Sequence, residues 1–110
     1  MPTMDPQEFR VRSDDALQRL HRRLMIAGDR YGFEADLNSG ALAIEFDDPP
    51  AKFVVSPNAP VSQIWVSALS KSFKLEWDAA RDAFALPGGP TLAELVAQSA
   101  TELLGENVTI

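Results

Sequence analysis

Apolar side chains recur at Leu17, Leu20, Leu24, Ala27 and Tyr31, a spacing that puts them on one stripe of an α-helix. Ser13 precedes this run as an N-cap, and Asp14 and Asp15 follow where the positive end of the helix dipole favours carboxylates. Gly28 and Gly32 bracket the helix end. The period then changes to two. Phe33 to Leu37 and Leu42 to Phe46 keep their larger apolar residues on one side, and Asn38-Ser39-Gly40 between them predicts a hairpin. Its other face carries Glu34, Asp36, Ala43 and Glu45.

Asp47-Asp48-Pro49-Pro50 ends that strand, because neither proline can donate to a ladder, and the two aspartates are turn residues. Lys52 to Ser56 forms a third strand, and Pro57-Asn58-Ala59-Pro60 leads into a fourth, Val61 to Ala68. Ser70-Lys71-Ser72 turns the chain into Phe73 to Trp77, whose Phe73, Leu75 and Trp77 share one side, with Trp77 expected in the core. A short strand, Ala83 to Leu86, precedes the break Pro87-Gly88-Gly89-Pro90. Thr91 and Glu94 then make a capping box, and Leu92, Leu95, Val96, Ser99 and Leu103 trace a second helical stripe that stops before Gly105.

Each strand has one apolar side and each helix one apolar stripe. The arrangement that buries them all is an α+β fold, a two-layer α/β sandwich with two helices packed on one face of an antiparallel sheet of five to six strands. The other face stays wet. Alternation assigns it Glu34, Asp36, Glu45, Gln63, Trp65, Lys74 and Glu76, with Trp65 as its only aromatic. An indole held in water beside an amide is a docking feature, unless Phe9 and Val11 fold back to cover it.

The chain of 110 residues, with no long linker and no internal repeat, fits a single domain over 1–110 with residues 1–12 as an N-terminal arm. It contains no cysteine, which excludes disulfides, thiolate nucleophiles and thiolate-held clusters. Sixteen acidic residues against ten basic ones give a net charge of −6, the wrong sign for tracking a phosphate backbone, so no nucleic-acid partner is expected. The first eight residues lack a charged segment followed by an apolar one, and no apolar run is long enough to span a bilayer. A soluble, cytoplasmic monomer is expected.

The single histidine, His21, flanks the apolar stripe and has neither a cysteine nor a second histidine to build a nucleophilic constellation with. Gly88-Gly89 belongs to no phosphate-cradling motif. An acid–base enzyme would have only carboxylates to work with, so no catalytic residue is assigned.

The order helix, acidic hairpin, Pro60-Val61-Ser62-Gln63-Ile64-Trp65-Val66-Ser67, then Lys74-Leu75-Glu76-Trp77 and the capped helix Thr91-Leu92-Ala93-Glu94-Leu95 resembles the frataxin family and its bacterial, CyaY-type members. Leu37-Asn38-Ser39-Gly40-Ala41-Leu42 is similar to the family's first hairpin, and the resemblance spans residues 13 to about 104. It implies an iron-binding accessory protein of iron–sulfur cluster assembly that meets the cysteine desulfurase and the scaffold protein, as iron donor or regulator of sulfur transfer. It also implies a partner surface at Gln63 and Trp65 with Asn58 and Lys74, and iron (Fe2+ or Fe3+), weakly bound and labile, on carboxylates of the first helix and first strand. The matching carboxylates are Asp14, Asp15, Asp29, Glu34 and Asp36.

The chain departs from the family on the outer face of the first helix, where His21, Arg22, Arg23, Met25 and Ile26 stand in place of carboxylates. Arginines there repel a cation and neutralise its ligands. Iron is therefore expected to bind weakly or at the hairpin, where Glu34 and Asp36 lie two apart on one strand face; Asp14 and Asp15 are sufficiently explained by the helix dipole. Met25 and Ile26 are expected to widen the core slightly or to pack on the N-terminal arm, the alternative being a second contact patch. The alternative function is a metal-independent interaction module that kept the docking face and lost the iron site.

Overall fold

The computed structural model describes residues 4–47 and 49–110. Helix α1 (Pro6–Tyr31) leads into strands β1 (Phe33–Asn38), β2 (Ala41–Asp47) and β3 (Pro50–Asn58). A 3-10 turn (Ala59–Val61) precedes β4 (Gln63–Ala68), β5 (Lys71–Asp78), β6 (Ala83–Ala85) and helix α2 (Leu92–Leu104). Each strand pairs antiparallel with the next, giving a six-stranded open sheet in the order β1-β2-β3-β4-β5-β6. Both helices pack on one face of it, as the patterning predicts. One buried cluster joins Leu17, Leu20 and Leu24 of α1 to Ile44, Phe53, Val55, Ile64, Val66 and Leu75 of the sheet and to Leu95 and Val96 of α2.

The helix does not start at Ser13. Asp5 is the N-cap, and Pro6 opens the first turn, where a missing N–H has no partner to lose. Residues Pro6 to Arg12, expected as an arm, are therefore helix, and Phe9 is buried edge-on against Phe84 at 5.8 Å. Ser13 hid this from the pattern: it lies on the buried stripe as a small polar residue, its Oγ donating to the Arg10 carbonyl at 3.2 Å. Asp14 and Asp15 consequently sit in the third turn, where the dipole no longer stabilises them.

Strand bounds shift for local reasons. Val61 belongs to the 3-10 turn and Ser62 takes φ 53°, so β4 begins at Gln63. The β4–β5 turn is Leu69-Ser70, both at positive φ (54° and 62°), rather than Ser70 to Ser72. β2 extends through Asp47 and β3 begins at Pro50, while Asp48 lies outside the described residues. Pro57 is tolerated inside β3 because it pairs only with Ile64; on its other side β2 has already turned away. Trp77 is half-buried rather than core, edge-on to Phe84 at 5.2 Å with the Arg12 guanidinium 4.3 Å above its ring.

α2 starts with the expected capping box: Glu94 N–H donates to Thr91 Oγ1 and Thr91 N–H to Glu94 Oε1 at 2.9 Å. Nearby, Arg81 Nε donates to Asp78 Oδ2 at 2.8 Å and its Nη1 to the Gly89 carbonyl at 2.6 Å, tying the β5–β6 turn to the loop before α2. The Arg81 hydrogen bond holds the Asp78 carboxyl below its ordinary value, and the Thr91 N–H does the same for Glu94. A carboxyl depressed by folding stabilises above its unfolded pKa and loses that contribution as pH falls through the lowered value. Acidification below about pH 4 is thus expected to loosen this corner first, modestly because both groups are exposed. Amide exchange at Arg81 and Leu95 should rise before that of the central strands; simultaneous loss of protection would contradict it.

After Gly105, at φ 71°, the chain turns back so that Val108 joins the buried cluster. The Val108 N–H donates to Thr101 Oγ1 at 2.9 Å and the Thr109 N–H to the Tyr31 hydroxyl at 3.3 Å, fastening the C-terminal segment to both helices.

Candidate functional site

Burial of Ile64, Val66 and Ala68 forces the intervening residues of β4 outward, and antiparallel pairing carries that choice to its neighbours. Two rows result across β3, β4 and β5: Ser56, Trp65 and Lys74, and beside it Asn58, Gln63 and Glu76. All four residues expected to meet a partner, Asn58, Gln63, Trp65 and Lys74, therefore share one face.

These side chains are linked. Trp65 Nε1 donates to Gln63 Oε1 at 3.0 Å, and Gln63 Nε2 donates to Glu76 Oε2 at 3.1 Å. The amide is thereby oriented by a donor on one side and an acceptor on the other. Lys74 Nζ stands 5.1 Å from the centre of the indole, within cation–π range. Held in this way, Trp65 remains 40% exposed, while Val11 is 63% exposed and Phe9 is in the core, so neither covers it. Small residues flank the ring: Val54, Ser56, Ser67 and Ser72 line the shallow groove beside it. The indole stands above them as a fixed apolar projection.

Alternation places Glu76 on the wet face without tying it to the site. Only the strand register reveals it as the anchor of Gln63, and the Leu69-Ser70 turn carries none of the glycine or asparagine that announces such a register.

The carboxylates divide into two groups. Asp14 accepts from Gln18 Nε2 at 3.0 Å, and Asp15 pairs with Arg19 Nε at 3.0 Å. Asp29, Glu34 and Asp36 lie together on a second surface groove with Met25 and Ile26. Asp14 and Asp29 lie fifteen helical steps apart, about 22 Å. Among the described residues no three of His, Cys, Asp and Glu converge on a point that could hold a metal. The hairpin group offers hard oxygen donors on an exposed edge.

Met25 and Ile26 neither widen the core nor meet an arm: they are 55% and 76% exposed beside the acidic edge of β1. His21 is the partly covered helix residue that its position suggested, its Nε2 donating to the Ala35 carbonyl at 3.1 Å, which ties α1 to β1. No helix among the described residues is long and apolar enough to cross a membrane.

The class defined by this architecture is an α/β sandwich of two helices on a six-stranded meander, with a held tryptophan on the open sheet face. A family model described as a frataxin-like domain matches residues 2–106. The chain belongs to the frataxin family. It is 27% identical over 97 residues to the iron-sulfur cluster assembly protein CyaY of Cupriavidus metallidurans, covering 86% of each chain. It is 31% identical over 77 residues to the CyaY of Ralstonia nicotianae, covering 66% of each. The solved structure of frataxin from Psychromonas ingrahamii superposes with a TM-score of 0.72 over 96% of both chains at 17% identity, a likeness of fold.

Proposed function

We propose that this protein is an accessory factor of iron–sulfur cluster assembly, not an enzyme, and that it docks on a complex of cysteine desulfurase and scaffold protein through the Trp65 face. The observation that carries this reading is the exposed indole fixed by Gln63, Glu76 and Lys74. A large side chain already held in one orientation loses little conformational entropy when a partner covers it. CyaY relatives named for cluster assembly support the choice of partner. Iron enters as cargo, weakly and labile, at Asp29, Glu34 and Asp36, while Asp14 and Asp15 are engaged by their own neighbours. The protein then acts as iron donor or as regulator of sulfur transfer, in the cytoplasm and as a monomer.

A second reading has its own support. The Arg19–Asp15 pair and the exposed Met25 and Ile26 are the opposite of an acidic ridge, as expected of an adaptor that works without metal.

Titrating the isotope-labelled protein with desulfurase and scaffold is expected to broaden the amide signals of Ser56, Gln63, Trp65 and Lys74 before others. Signals of this face left sharp by a bound partner would sink the docking assignment. Ferrous iron added under nitrogen should broaden Glu34 and Asp36 and leave Asp15 unmoved. Partner affinity that rises with iron favours the donor; affinity unchanged by iron or chelator favours the adaptor.

A further inference from the structure

On the opposite side of the molecule from Trp65, the N-terminal half of α1 and the start of α2 enclose a groove of about 450 Å³, within the range of small-molecule sites. Arg12, Arg19 and Arg23 line it from α1, at spacings of seven and four that stack them along one edge of the helix. Its floor is apolar, built from Leu20, Phe84 and Trp77. Asp15 and Asp82 line the groove too, so three guanidinium groups face two carboxylates and it keeps a net positive charge in a chain of net charge −6.

Carboxylates partly answer the charge and in doing so orient the guanidinium groups of Arg12 and Arg19. Glu8 accepts from Arg12 Nε at 2.9 Å and Asp15 from Arg19 Nε at 3.0 Å, each acid four residues before its arginine. Both grips use the ε edge. Among the described residues the terminal nitrogens of Arg12 reach only Asp82, at 3.9 Å, and the Asp82 side chain is 88% exposed. Arg23 forms no ion pair among the described residues. The Arg12 guanidinium also lies over the Trp77 ring, 4.3 Å from its centre. Oriented guanidinium groups with spare paired N–H donors match the oxygens of a phosphate two at a time.

We propose that this groove binds a small organic phosphate, its phosphoryl group on Arg12, Arg19 and Arg23 and its less polar body on Leu20, Phe84 and Trp77. The site is independent of the Trp65 face, so it stands or falls apart from the cluster-assembly reading.

The test is a nuclear magnetic resonance titration of the full chain with adenosine monophosphate, glucose 6-phosphate and inorganic phosphate, each at constant ionic strength set with chloride. Saturable shifts of the Trp77 indole N–H and of the Arg19 and Arg23 Nε–H signals are expected with at least one organic phosphate, while the Trp65 indole stays still. Arg19→Gln and Arg23→Gln, both at exposed positions, should each weaken binding about ten-fold with the thermal midpoint unchanged. Equal affinity for inorganic phosphate would leave the apolar floor without a role and overturn the assignment to an organic phosphate. No saturable shift with any probe, affinity untouched by either substitution, or binding only to an acidic polypeptide would overturn the proposal.

Discussion

Trp65→Ala is expected to weaken binding to the desulfurase and scaffold complex by about 30-fold or more while the fold survives. An interface anchor of this size contributes at least about 2 kcal/mol when it is central and desolvated by the partner. In the free protein the same ring is 40% exposed and rests on residues of the wet face, so its removal opens no cavity in the core. Gln63 Oε1 loses its indole donor but turns to water. The melting temperature should therefore fall by less than about 5 °C, the equivalent of roughly 1 kcal/mol in a domain of this size. Trp65→Phe, which keeps the ring beneath Lys74 and loses the N–H, is expected between wild type and alanine. Calorimetry of the partner complex beside a thermal scan of each variant decides the matter. Parallel collapse of stability and affinity would make the indole a structural residue and remove the docking face.

Why Trp65 was legible in the sequence, and Glu76 was not, comes down to which contacts alternation can reveal. A sheet with one packed face forces Ile64 and Val66 inward, and Trp65 outward follows without knowledge of any neighbour. The partner of Gln63 depends on register, and register depends on a turn whose residues, Leu69 and Ser70, resemble no hairpin signal although both adopt positive φ. The extra turns of α1 were hidden by Ser13, a hydroxyl on the core stripe that satisfies itself on the Arg10 carbonyl. Once those turns exist, Asp14 and Asp15 lose the dipole as their explanation and acquire Gln18 and Arg19 instead. The groove of Arg12, Arg19 and Arg23 unites one helix with β5, β6 and the start of the other helix, a contact that no periodicity within any one segment contains. Val108 is similar: a lone apolar residue after a helix has no pattern, and its burial rests on hydrogen bonds to Thr101 and from Thr109 to Tyr31.

Gly28→Ala is expected to destabilise the protein by about 2–3 kcal/mol, although alanine is the better helix former by about 1 kcal/mol. The pattern around Gly28 and Gly32 suggested one role for both, ending α1, yet the structure separates them. Gly32 is the C-cap at φ 82°, its N–H donating to the Gly28 carbonyl at 2.8 Å, and a Cβ there would meet nothing. Gly28 is buried inside the helix, and a Cβ there would press into the Phe33 carbonyl oxygen. That oxygen belongs to backbone opening β1, and the Phe33 ring packs at a tilt against Phe46, centroids 5.1 Å apart, which packs likewise against Phe53 at 4.8 Å. Relief would need α1 and β1 to part, opening the contact that His21 also holds through Ala35. The melting temperature should drop by about 10–15 °C. Gly32→Ala, strained only in its dihedral angles, should cost about 1–2 kcal/mol. Near-equal losses for the two variants would mean that termination of the helix, and not its approach to β1, is what Gly28 provides.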